Sequence, residues 1–102
     1  GLIVPIGWLV LREACRQAKR WHDAGRELFI AANFSSKQFS QPDVVQQTRV
    51  ILEETGAPPH LVKLEITESV LVENTENAAA TLLELQRLGL GLSLDDFGTG
   101  YS

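Results

Sequence analysis

The stretch LVKLEITES, residues 61–69, decides how the chain is read. Val62, Leu64 and Ile66 alternate with Lys63, Glu65 and Thr67, which is the period of a strand with one apolar and one polar face. Two further runs flank it, LFIAANFS at 28–35 and LGLSLDD at 90–96. In the first, Ile30, Ala32 and Phe34 oppose Ala31 and Asn33; in the last, Leu90, Leu92 and Leu94 oppose Gly91, Ser93 and Asp95. Each run has an aliphatic face suited to packing under helices and a smaller or more polar face suited to a barrel interior.

Helical periodicity fills the intervals. From Pro5 to Ala24, Val10, Leu11, Ala14, Cys15, Ala18 and Trp21 share one side, while Arg12, Glu13, Arg16, Lys19 and Arg20 take the other, and Gly25 ends the run. Ser40, followed by Pro42 and Asp43, reads as the cap of a second helix that runs through VVQQTRVILEET to Gly56. A third runs from about Thr75 to Gly89. The order is helix, strand, helix, strand, helix, strand, and such alternation specifies crossovers and a parallel sheet.

Asn33 and Glu65 are 32 residues apart, and Glu65 and Asp95 are 30 apart. A (β/α)8 barrel of about 250 residues spends about 31 on each unit. The fold expected is therefore α/β of the TIM-barrel type, with about three strands and three helices present. Three strands cannot close a barrel, so self-association or a homodimer through exposed sheet edges is expected of the isolated segment.

The 102 residues carry a net charge of −4, with 44% hydrophobic and 22% charged residues, which suits one globular domain. No cluster of Lys and Arg interleaves with aromatics, which argues against binding a nucleic-acid polymer or an anionic membrane. The single Cys15 forms no internal disulfide and reads as a small buried hydrophobe. The opening GLIVPIGWLVL is about half a membrane span and lacks a basic start, so a cytoplasmic protein with no membrane insertion in this segment is expected. His22 and His60 read as surface residues.

Asn33, Glu65 and Asp95 fall on the polar faces near the carboxyl ends of their strands, where parallel barrels build active sites. An amide and two carboxylates suit a hard cation such as Mg²⁺ or Mn²⁺. Asp96 has the other parity, yet at a strand's end it could turn toward a second metal or its water, and two shared metals would offset the repulsion between adjacent aspartates. The plainer readings stay open: Asn33 as a turn residue, Glu65 solvated or paired with a lysine across the barrel, Asp95 and Asp96 capping the next helix. The letters Asp96, Phe97, Gly98 also occur in kinases, but no H-R-D with a downstream Asn precedes them here.

Together NFS at 33–35, LEITES at 64–69 and LDDFGTGYS at 94–102, with PIGWLVLREAC near the start, resemble the EAL domain, the family of bacterial cyclic di-GMP phosphodiesterases. The resemblance implies a (β/α)8 barrel that hydrolyses cyclic di-GMP to linear pGpG with two Mg²⁺ or Mn²⁺ ions. It implies first-metal ligands at Asn33, Glu65 and Asp95, and at Asp96 a residue serving the second metal and the attacking water. Glu68 resembles the glutamate that holds the loop beginning at Asp96 in its working conformation. The Glu-Ala-Leu motif would lie before Gly1 and the Lys-x-Asp strand beyond Ser102, so residues 1–102 are read as the central part of the domain. A degenerate member, binding cyclic di-GMP or a protein without cleaving it, is the alternative. Substrate-binding residues beyond these are not identified.

Overall fold

The computed structural model describes residues 3–67 and 75–95. Helix α1 (Ile3–Asp23) leads to strand β1 (Ile30–Phe34), a four-residue helix α2 (Ser36–Phe39) and helix α3 (Val44–Thr55). A 3-10 turn (Pro59–Leu61) precedes β2 (Val62–Thr67), followed by α4 (Thr75–Arg87) and β3 (Gly91–Asp95). The strands form one parallel sheet in the order β1-β2-β3. Consecutive parallel strands need a crossover, and here each crossover carries helix.

The alternation read at 61–69 is realised residue by residue over 62–67, and Glu68 and Ser69 lie outside the described residues. Val62, Leu64 and Ile66 are buried, Lys63 is exposed, and Glu65 and Thr67 are half-buried. In β1, Ala32 and Phe34 are buried while Ala31 and Asn33 are exposed. The buried face joins Leu11, Ala14, Cys15 and Ala18 of α1, Ile51 and Leu52 of α3, and Leu85 of α4 in one core. Trp8 meets the ring of Phe34 edge-on, with centroids 5.6 Å apart, and ties the first turns of α1 to the strand beside Asn33. On the outside, Arg12 of α1 pairs with Glu54 of α3 at 2.7 Å.

The turns use the residues their geometry demands. Gly25, Gly56 and Gly89 all have positive φ, and Gly56, at φ 73°, is the left-handed C-cap of α3, its N–H donating to the Leu52 carbonyl.

Two local expectations need correction. Ser40 does not cap α3; it closes α2, and Asp43 stands at the start of α3 without a side-chain cap bond. The side-chain cap here is that of α2, provided by Ser35, whose Oγ accepts from the Gln38 N–H at 3.0 Å while Gln38 Oε1 accepts from the Ser35 N–H at 3.4 Å. This reciprocal pair makes α2 and uses an S-x-x-Q pattern ahead of the Ser40-Pro42-Asp43 signal. Finally, Val10 leaves the buried side of α1 and is 50% exposed, as Ile6 and Leu9 also are at 52% and 62%.

Candidate active site at the carboxyl ends of the strands

The helices cover only the aliphatic face of the sheet. On the other face the parallel register sets Asn33 directly beside Glu65, and Glu65 beside Ser93. Register neighbours in a parallel sheet point the same way, so the Asn33 amide and the Glu65 carboxylate face common ground about 5 Å apart at the backbone. Asp95 pairs with Thr67, one two-residue step beyond the Glu65 row. That places its backbone about 8 Å from that of Glu65, given strand spacing and rise. Its position on the polar face holds, but the three residues are staggered rather than level. The side chain of Asp95, and all of Glu68 and Asp96, lie outside the described residues.

Asn33, Glu65 and Thr67 line an open cleft of about 440 Å³ together with Ser35, Ser36, Gln38 and Phe34. Ile6, Gly7 and Val10 of α1 form its apolar wall, which accounts for the exposure of Ile6 and Val10. Glu65 forms no ion pair with any lysine or arginine among the described residues. An amide oxygen beside an unpaired carboxylate is a donor set fitted to a hard divalent cation rather than to zinc in a thiolate site. Among the described residues no group of three His, Cys, Asp or Glu could hold a metal ion, so a complete shell needs donors beyond Asn33 and Glu65.

A larger groove of about 540 Å³ runs along the outer helices between the start of α3 and α4, lined by Asp43, Arg49, Thr81 and Glu84 among others. No strand residue lines it, and it opens on the solvent side of the helical layer. The cleft over the strands is the better candidate because its polar groups converge from adjacent strands.

Away from this site, the amino ends of the strands carry a cluster not foreseen from the sequence. His22 and His60 are exposed as expected, but both reach Glu27, with His22 Nδ1 2.6 Å from Oε1 and His60 Nε2 3.5 Å from Oε2. The hydrogen bond with His22, supported by that with His60, holds the Glu27 carboxyl below its ordinary range. Cys15 is fully buried, and burial pushes its thiol up to about 11, which makes it inert as a nucleophile. Gln38 was also missed, although it lines the cleft and is fully buried. Among the described residues, no helix is long and apolar enough to cross a membrane.

Comparison with known proteins agrees with this geometry. The chain is 44% identical over 104 residues to the bifunctional diguanylate cyclase/cyclic di-GMP phosphodiesterase MucR of Pseudomonas aeruginosa, covering all of this chain and 15% of that protein. It superposes on the solved structure of the PaMucR phosphodiesterase, c-di-GMP complex, with a TM-score of 0.90 and 43% identity, over 100% of this chain and 42% of the other. A manganese/c-di-GMP complex of Klebsiella pneumoniae BlrP1 matches with a TM-score of 0.74 and 25% identity, over 97% of this chain and 25% of that one. The chain spans 13% to 15% of the length of the first curated relatives it matches. Its three parallel strands with their helices are thus part of a TIM-type barrel. The model of the EAL domain family matches residues 1–102 from end to end, and the chain belongs to that family.

Proposed function

We propose that residues 1–102 are the central part of an EAL domain and that the full-length protein is a cytoplasmic, metal-dependent phosphodiesterase that opens cyclic di-GMP to linear pGpG. One observation carries the reading: Asn33 and Glu65, in register on the face left free of helices, present oxygen donors to an open cleft at the carboxyl ends of the strands. Relatives named as cyclic di-GMP phosphodiesterases, and a neighbour solved with manganese and cyclic di-GMP, support it.

In this reading Asn33, Glu65 and Asp95 hold one divalent ion, Asp96 serves a second ion and the attacking water, and Glu68 steadies the loop that begins at Asp96. Mg²⁺ or Mn²⁺, when bound, supplies charge that acidifies water and offsets the phosphodiester anion. That charge also reconciles a chain of net charge −4 with an anionic substrate. The protein's own task is placement. The strands deliver the donors on a rigid sheet, and the Trp8–Phe34 contact anchors the wall beside Asn33.

The test is an assay of the full-length protein with cyclic di-GMP and Mg²⁺, following pGpG by chromatography. Metal-dependent release of pGpG is expected, with nearly all turnover lost in Glu65→Ala. Undiminished turnover in that variant would refute the ligand assignment. Tight binding of cyclic di-GMP without any cleavage would favour a receptor instead.

A further inference from the structure

We infer that Gln38 is a positioning residue for this site: its buried carboxamide, clasped between Gly7 of α1 and the Ser35 cap, fixes the turn after Asn33 and thereby the aim of the Asn33 amide. The inference deepens the metal reading above and rests on it.

Gln38 has no exposed surface and lines the same cleft as Asn33 and Glu65. Its Oε1 accepts from the Ser35 N–H, and its own N–H donates to Ser35 Oγ at 3.0 Å. Ser35 is two residues from Asn33, so this pair sets the direction in which the chain leaves β1. The other side of the carboxamide rests on the backbone of Gly7, where an added Cβ would stand 2.4 Å from Oε1 and 2.8 Å from Cδ. The clasp therefore joins the apolar wall of the cleft to the strand end that carries Asn33.

A packing role alone does not explain an amide at this position. Nε2 is buried and has no hydrogen-bond partner among the described residues, and an aliphatic side chain of similar length would fill the space without that unmatched donor. A capping role alone would be met in any exposed turn, yet here the capping group is sealed under the cleft. Groups that orient a metal ligand from behind typically change metal affinity or activity 10- to 100-fold when removed.

The experiment uses the full-length protein, with Mn²⁺ itself as the probe. Free Mn²⁺ is counted by electron paramagnetic resonance during titration, and melting is followed separately. Gln38→Met, which removes acceptor and donor at similar volume, is expected to raise the Mn²⁺ dissociation constant about tenfold. Gln38→Glu retains an acceptor for the Ser35 N–H and is expected to stay within about threefold of wild type. Ser35→Pro, which the φ of −74° at this position accommodates, removes the N–H that the carboxamide binds and is expected to follow Gln38→Met, which keeps the inference testable should that variant misfold. A lowered melting temperature with Mn²⁺ affinity unchanged in Gln38→Met or Ser35→Pro would overturn it, because that is the signature of packing alone. Gln38→Glu binding as poorly as Gln38→Met would also overturn it, because the Ser35 clasp would not then be the route. A wild type that binds no Mn²⁺ would overturn the metal reading itself, and this inference with it.

Discussion

Replacing Gly7 with alanine should destabilise the protein, against the usual direction of such a change. In a helix interior, glycine to alanine is ordinarily worth about 1 kcal/mol in favour of the fold. At Gly7 the new Cβ would sit 2.4 Å from Gln38 Oε1, far inside van der Waals contact. The carboxamide is the end free to swing aside, and doing so breaks its bond to the Ser35 N–H. Leaving this part-buried donor without its partner costs about 1–2 kcal/mol, the lower part of the range for a fully buried group. Loss of fit around a side chain with no exposed surface adds about 1 kcal/mol. After the helix-propensity gain is subtracted, a net loss of about 1–2 kcal/mol remains. Hydrogen exchange read by mass spectrometry on the full-length protein localises the effect. The amides of Ser35 and Gln38 should exchange about 5- to 30-fold faster in Gly7→Ala, as that loss implies. Unchanged or slower exchange there would mean that Gly7 is an ordinary helical glycine and that the carboxamide does not depend on it.

Two further expectations concern the core. Leu64, without exposed surface at the centre of β2, should cost about 2–5 kcal/mol on replacement by alanine, read as a fall in the denaturation midpoint; a change under about 1 kcal/mol would contradict the burial of the aliphatic face. Burial raises the Cys15 thiol from 9.0 to about 11, so the folded state holds that proton more tightly than the unfolded chain does. The resulting stability is complete below pH 9 and is lost as the pH climbs toward 11; Cys15→Ala should flatten this part of the pH profile, and an equal alkaline slope in both proteins would refute the assignment.

Much of the fold was legible because period-two alternation at 62–67 is unambiguous and the glycines at 25, 56 and 89 sit where left-handed turns end helices. Parity put Asn33, Glu65 and Asp95 on one face, and the register confirms the shared face. Parity says nothing about stagger, however, since register is set between strands rather than within one. The displacement of Asp95 by one two-residue step therefore became visible only in the paired sheet. The capping box at Ser35 and Gln38 was written in the sequence but opens a four-residue helix of its own, ahead of the separate boundary that Pro42 and Asp43 mark, and so short a helix has no periodicity to reveal it. Gln38 itself carries no motif that distinguishes a sealed amide from a surface one. Its place under the cleft depends on how α1 lies against β1, a long-range contact that local patterns do not encode. Glu68 entered from the family resemblance alone, since neither parity nor spacing singles it out.

The central claim is that oxygen donors from adjacent strands gather around a divalent ion at one end of the sheet. An anomalous difference map from crystals of the full-length protein soaked in Mn²⁺ addresses it directly. The expected result is a peak within about 2–2.5 Å of oxygen atoms from both Asn33 and Glu65. Manganese bound elsewhere, or no peak over the cleft at saturating Mn²⁺, would contradict it.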